Sequence, residues 1–533
     1  MFNAYRQTLI REARLQTPQA VIEIGSTGIR LLVAEPVEER TADSEQPVQK
    51  KYNILDRSEF PVNLGRDVFT AGSITRETLL ACLQILNRFG EQLKGWGISR
   101  QETIVIGTSA VREANNRDPF VDRIKVKTGF TVHVTDGIEE NRLMYIAVTE
   151  CLKDESVSVR QSDSIILEIS GGATEMMLME KGRMVGAHSM RLGTVIIEQQ
   201  IRAMLGNIDD AHRFIGEFIR NTKNALNTEM NLDKVQQFIA LGTDMKLAAI
   251  FAGKPISPFL WEIQRYDFEA FVDEVQHYTT EECIAKFKLN YNDAQTFQIS
   301  LIAYKLFVYL TNVTSIIVPE TSIREGILLN NAELSDGELR DEFTQQILAS
   351  ATSLLRKYQG DEAHAEHVKR TSLRIYDAMQ DELGLDPHVR MLLSVSAILH
   401  DIGMFIRAED HNVHSKYIIN HSEIFGLGRD DKALVALITN FHKGSRMPQD
   451  DPEFRLLPRT SRMIILKLSA ILRVADALDR THQQKLIDFT INFAHDSLTF
   501  RVKGHTNLAL EKLAVAQKSD LFENVFGYKI VLV

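Results

Sequence analysis

The 533-residue sequence has no charge-free apolar run near the ~18–20 residues that a membrane span requires. Its N-terminus, MFNAYRQTLIREARLQ, is basic but lacks the long apolar core of a secretory signal, and we expect a helix there. Cysteine is scarce: Cys82, Cys151 and Cys283 show neither an even count nor a motif spacing, as expected of a reducing cytoplasm. The two common nucleotide signatures, GxxxxGK[ST] and GxGxxG after a strand, are absent, so nothing points to a kinase or a dehydrogenase. There is no solenoid repeat and no low-complexity tract. An excess of basic charge is also missing. The net charge of -10 argues against coating nucleic acid, although local arginines and a cation could still hold a polyanion in a cleft. With 44% apolar and 25% charged residues the chain is an ordinary globular one, long enough for three or four domains.

What the chain does have is one unit written twice. Val21–Glu35 aligns without gaps on Ile166–Glu180, with Glu23/Glu168, Ile24/Ile169 and Glu35/Glu180 identical. Each copy is an apolar run, a turn of small residues and a second apolar run, which predicts a β-hairpin. Small turn residues let backbone N–H groups approach an anion, and a neighbouring carboxylate can hold the cation that travels with phosphate. Two such hairpins on two similar lobes would face each other across a phosphate-binding cleft.

The pattern along the chain predicts α/β, α/β, all-α and α/β segments in that order. The first lobe spans 18–141, with a polar loop from Glu35 to Lys51, a helix near 75–94 and a strand at Thr103–Ile106. The second spans 142–330 and includes a buried strand at Ser315–Val318. Asn331–Glu342 reads as a linker. From 343 to 484 the apolar residues recur at helical spacing, notably Met391–Ile402 and Ile464–Leu478. Residues 485–533 alternate again, with strands at Phe489–Phe493 and Leu498–Val502, a helix at 508–516 and an apolar Tyr528–Val533.

Further signals lie where a cleft would need them. Gly107-Thr-Ser-Ala-Val-Arg112 follows a strand, at the end where ligands collect in α/β sheets. Asp136-Gly-Ile-Glu-Glu-Asn-Arg142 places adjacent carboxylates after another short strand, Phe130–Val134. Ser322-Ile-Arg-Glu-Gly326 follows the strand ending at Val318. With Arg191-Leu-Gly-Thr194 and the two hairpins, these stretches resemble the exopolyphosphatase/guanosine pentaphosphate phosphatase (Ppx/GppA) family of the actin-like ATPase superfamily. The resemblance continues in His414–Ile419 and Phe441-His442.

That resemblance implies two actin-like (ribonuclease H-like) lobes and release of terminal phosphate from inorganic polyphosphate, or hydrolysis of guanosine pentaphosphate. It implies Glu140 as the catalytic glutamate that orients or deprotonates the attacking water. Glu23 and Glu168 would be the acids around a Mg2+ ion, and Glu175 the acid after the second turn. Arg112 and the turn amides would hold phosphate. Gly25, Ser26, Thr27, Gly28, Arg30 and Ser109 are the substrate-binding candidates from the first lobe. Gly171, Gly172, Ala173 and Thr174 are those from the second. We expect a cytoplasmic homodimer acting on a soluble polyanion, without nucleic acid or membrane as partner. The chain departs from the family pattern at several points. The family usually carries Asp at Glu23 and Glu168, Asn at Thr27, Gly at Ser170 and Ser at Ala173. A small Gly-Gly-Thr-like phosphate turn is replaced by Gly242-Thr-Asp-Met245, where Asp244 would repel a phosphate.

The helical region carries a second constellation: His367, His400-Asp401, His414, His442 and Asp476. Ionisable groups on such apolar helices are costly to bury unless paired or metal-bound. Imidazole with carboxylate suits Mn, Fe, Zn or Ni. The order resembles HD-type metal phosphohydrolases, which makes this all-α domain a rival seat of catalysis on a nucleotide or phosphomonoester. A third reading is a non-catalytic sensor of polyphosphate or an alarmone.

Overall fold

The computed structural model describes residues 17–39, 49–153, 155, 157, 159–203, 208–333, 337–386, 388–443, 448–494, 496–502 and 507–533. The helix expected at the N-terminus lies outside them. The chain divides into two compact units near residue 341, with 184–186 grouped with the second. Among the described residues no helix is long and apolar enough to cross a membrane.

The first unit is mixed α/β and contains two sheets. One is built from β1 (Gln19–Ile24), β2 (Gly28–Glu39), β3 (Gln49–Pro61), β4 (Ile104–Gly107) and β5 (Val132–Val134). The other is built from β6 (Ser164–Ile169), β7 (Thr174–Glu180), β8 (Arg183–Met190), β9 (Gln237–Leu241), β10 (Lys254–Ser257), β11 (Leu260–Gln264) and β12 (Ser315–Pro319). Their orders are β3-β2-β1-β4-β5 and β10-β11-β12-β9-β6-β7-β8. The second order contains β8-β7-β6-β9-β12, which repeats the first strand for strand. In both sheets the hairpin is antiparallel and the next two strands join in parallel. The repeat seen in the hairpins therefore extends to the sheets.

Burial explains why the strands sit where they do. Val21, Ile22, Ile24, Leu31 and Val33 are fully buried, as are Ile166, Leu167, Met177 and Leu178. Such near-continuous apolar runs mark strands covered on both faces. The polar loop expected from Glu35 to Lys51 is strand at both ends, with β2 reaching Glu39 and β3 starting at Gln49, and residues 40–48 lie outside the described set. Beyond Ala34, the last partner of β1, β2 has only β3 beside it, so Pro36 falls on an open edge where a missing N–H is tolerated.

In the second unit the helices and a three-stranded sheet share one core. That sheet, β13 (Phe489–Phe493), β14 (Ser497–Val502) and β15 (Lys529–Leu532), sends Phe489, Leu498 and Phe500 into the same cluster as Val395, Leu399 and Leu472. The tail from 485 is thus not separated from the helices by a core of its own. The expected linker at 331–342 is also mostly helix. Helices Ile323–Glu333 and Gly337–Lys357 flank residues 334–336, which lie outside the described set. No proline falls between Pro319 and Pro387 to end either helix, and polar composition alone did not mark a break.

Candidate active site in the first unit and a second cluster of metal ligands

The two hairpin turns are built alike. Gly25 N–H donates to Gly28 O at 2.9 Å, and Ser170 N–H donates to Ala173 O at 2.9 Å, at matching positions of the repeat. Each turn then accepts from a helix start: Gly65 N–H to Ser26 O at 2.8 Å, and Val195 N–H to Gly171 O at 3.0 Å. The turns meet. A Cβ on Gly171 would come within 2.9 Å of Ser26 Cβ, and one on Gly172 within 2.4 Å of Ser109 Oγ. Ser26 and Ser109 hydroxyls lie 3.2 Å apart. Only small residues allow this approach. A buried phenol ties down the second turn: Ile169 N–H donates to Tyr304 Oη at 2.8 Å, and Tyr304 donates to Leu241 O.

A cavity of about 320 Å³ opens over the turns. Its lining includes Glu23, Gly25, Ser26, Thr27, Arg30, Glu168 and Gly171 from the expected set. Arg57, Asp293, Ser322, Thr243 and Lys246 join them; Ser322 and Thr243 lay in stretches singled out from sequence, and the other three did not. Thr174 is not at the cavity: its hydroxyl is fully buried and donates to Leu192 O at 2.6 Å. Ala173 N–H is taken up by Ser170 Oγ at 3.2 Å.

Carboxylates and arginines alternate around the cavity. Glu23 lies 3.5 Å from Arg30 and 3.3 Å from Arg324. Arg30 also pairs with Glu59 at 2.8 Å, and these acids keep it charged despite its burial. Arg57 pairs with Glu320 at 2.7 Å and Glu325 at 2.9 Å. The Glu168 side chain makes no hydrogen bond or ion pair among the described residues. Burial, with Glu23 and Glu140 nearby, pushes its carboxyl up to about 7. An unpartnered acid facing a second acid is an environment that favours a cation. No set of three closely converging ligand atoms occurs here among the described residues, so the protein alone would supply two carboxylates. That fits Mg2+, which keeps its waters and takes its other ligands from phosphate.

The adjacent glutamates separate cleanly. Asp136 caps the helix Gly137–Cys151 by accepting from Glu139 N–H at 2.8 Å. From that first turn Glu139 faces outward and pairs with Arg142 at 2.7 Å. Glu140 points inward, buried, with its Oε1 2.5 Å from Arg112 and 3.1 Å from the Thr135 hydroxyl. Burial raises its pKa, opposed by Arg112. Arg112 also donates to Thr135 O at 2.8 Å. Glu175 is buried beside it, accepting from Ser189 Oγ at 2.7 Å and Asn141 Nδ2 at 2.9 Å.

Gly242, the first residue of the altered phosphate turn, has φ +102° and caps the helix Thr243–Ala252. Asp244 in its first turn is pushed up to about 7, chiefly by burial, with Asp293 and Glu59 adding and Arg30 opposing. A carboxyl half protonated near neutrality can donate to a phosphate oxygen, which softens the repulsion its sequence suggests.

The helical unit holds a second convergence, with a different ligand set from the one expected. His400, Asp401, His442 and Asp476 come together, but His367 and His414 do not join them. His364 and His411 occupy those places. His367 and His414 each lie three residues further along their helices, about 60° short of a full turn, and so face elsewhere. His367 Nδ1 meets Arg370 at 3.0 Å, and its buried Nε2 has no hydrogen-bond partner.

Comparison with known proteins places this geometry. The chain is 24% identical over 496 residues to the guanosine-5'-triphosphate,3'-diphosphate pyrophosphatase of Photobacterium profundum, covering 90% of each. It is 22% identical over 492 residues to the protein of the same name from Vibrio vulnificus, covering 91% of each. Its fold matches the crystal structure of an exopolyphosphatase from Cytophaga hutchinsonii with a TM-score of 0.50 at 22% identity, over 60% of this chain and 98% of that one. The model of the Ppx/GppA phosphatase family matches residues 44–334 and that of Ppx/GppA phosphatase domain III residues 348–521; the chain belongs to the Ppx/GppA phosphatase family.

Proposed function

We propose that the first unit is a phosphohydrolase that releases terminal phosphate from a phosphoanhydride chain, either inorganic polyphosphate or guanosine pentaphosphate. The observation that carries this is the meeting of the two equivalent turns beneath a cavity edged by Glu23, Glu168, Arg30 and Arg324. Phosphoryl transfer needs positioning and charge neutralisation more than covalent chemistry. Turn amides, Arg30 and Arg324 supply donors for phosphate oxygens. Glu23 and Glu168 would hold Mg2+, which bound there neutralises the phosphate charge. Glu140 is the general base. Its burial favours the protonated form and brings its affinity for a water proton closer to neutral pH. Arg112 holds Glu140 by an ion pair. A substrate phosphate that draws Arg112 away frees the carboxylate for water, with Thr135 keeping it oriented. Glu175, clamped by Ser189 and Asn141, supports that region from behind.

The test is phosphate release from both substrates, in Mg2+, by the wild-type chain and Glu140→Gln. Loss of a general base costs on the order of 10²–10⁴-fold. We expect the variant to fall at least about a hundredfold with an unchanged circular dichroism spectrum. Full turnover in the variant refutes the assignment.

A further inference from the structure

A file of linked charges runs along one wall of the cavity, away from the paired acids. It starts at Glu23, which lies 3.3 Å from Arg324. Arg324 Nε donates to the Ser322 hydroxyl at 3.1 Å, and that hydroxyl donates to Glu325. Glu325 is 2.9 Å from Arg57, Arg57 is 2.7 Å from Glu320, and Glu320 pairs with Lys246. Every one of these residues lines the cavity. Acid and base alternate, and separate elements supply them. Arg57 comes from β3, Lys246 from the first turn of the helix Thr243–Ala252, and Glu320 from the residue after β12. Arg324 and Glu325 open the helix Ile323–Glu333. Exposure rises along the file, from 17% of the Arg324 side chain to 33% at Arg57 and 36% at Lys246. Arg57 and Lys246 therefore stand nearer the mouth.

Glu320 is the centre of that outer part. Its backbone N–H donates to Phe259 O at 2.8 Å, one rung beyond the pairing of Leu260 with Pro319, so the root of its side chain is anchored at the end of the sheet. Its one carboxylate satisfies two cations. An interior phosphate of an anhydride chain likewise carries a single negative charge and offers two unbridged oxygens. Lysine and arginine bind either group, and the guanidinium fork matches both. Ion pairs that reach solvent add little net stability, so exchanging one anion for the other costs little.

We propose, resting on the reading of this cavity as a phosphoanhydride hydrolase, that Arg57 and Lys246 hold the phosphates that follow the one being released, and that Glu320 is an internal stand-in for phosphate at that subsite. An incoming chain displaces the Glu320 carboxylate. Arg57 turns from it to a phosphate oxygen, while Glu325 keeps the guanidinium oriented. Glu320 thus competes with substrate and governs affinity more than the chemical step.

Binding is measured by isothermal titration calorimetry on the full chain carrying Glu140→Gln, which keeps the ligand uncut. The ligands are long-chain inorganic polyphosphate, pyrophosphate and guanosine pentaphosphate, each in Mg2+. One charge-assisted contact is on the scale of a tenfold change in Kd. Arg57→Gln and Lys246→Gln should each weaken polyphosphate binding about tenfold. Pyrophosphate, with a single phosphate behind the terminal one, should weaken less. Glu320→Gln should tighten polyphosphate. Arg57→Gln combined with Glu320→Gln separates contact from mere neutralisation. The double variant should stay weak; recovery to the parent Kd would show that Arg57 only cancels Glu320, and overturns the proposal. So do equal shifts for polyphosphate and pyrophosphate, or a polyphosphate Kd that neither cation variant moves. Given the polyphosphate shift, a matching one for guanosine pentaphosphate extends the subsite to its 5' phosphates, and an unmoved Kd reserves it for the inorganic chain. With Glu140 intact, KM for polyphosphate should follow Kd and move more than kcat. A chain that binds in this pattern yet releases no phosphate with Glu140 intact refutes the hydrolase reading and leaves the subsite standing.

Discussion

Asp244→Asn isolates the residue that departs most awkwardly from a phosphate-binding turn. Burial raises the Asp244 carboxyl from an ordinary 3.8 to about 7. A group that binds protons more tightly when folded stabilises fully below its unfolded pKa and loses that stabilisation as pH rises through its folded one. Over that window the charged carboxylate comes to cost at most about 4 kcal/mol. Between pH 5.5 and pH 8 the wild type should lose about 2 kcal/mol relative to Asp244→Asn, which has no carboxyl to ionise. Urea unfolding followed by tryptophan fluorescence is the assay. Both tryptophans, Trp96 and Trp261, belong to the first unit, so the signal reports on the unit that holds Asp244. The same ionisation places a negative charge at the substrate cavity, so KM for polyphosphate should rise above pH 7 in the wild type and less in the variant. A stability difference that stays flat from pH 5.5 to 8 would show that Asp244 ionises freely, and the account of the altered turn would be wrong.

Glu23 and Glu168 should act as a pair: Glu23→Asp or Glu168→Asp alone lowers Mg2+-dependent activity, and the double change partly restores it, because groups sharing one cation are not additive. Strict additivity in a double-mutant cycle would show that they do not share it. Gly193→Ala should destabilise the first unit by about 1–3 kcal/mol, since a Cβ there meets Gly171 O and Gly172 C at 2.3 Å. It should also lower turnover by displacing the second turn; wild-type stability and rate together would contradict the packing.

The roles proposed for Glu23, Glu140, Glu168 and Arg112 came from the family resemblance, whereas the two hairpins and their small turns were legible because each depends on local pattern, two apolar runs joined by a turn that needs small residues. The helical region and the strands near the C-terminus were legible for the same reason. What the pattern could not show was which distant groups share a space. Arg57 and Lys246 reach the cavity from a strand and a helix without a motif, and Thr174 leaves it because its hydroxyl finds Leu192 O. Polar stretches at 35–51 and 331–342 read as loop and linker, yet strand pairing takes 35–39 and 49–51 and helix takes 331–333 and 337–342. His364 and His411, rather than His367 and His414, face the acids. A helix advances about 100° per residue, so three positions turn a side chain far enough to miss the site. Only the packing of the helices says which face is inward.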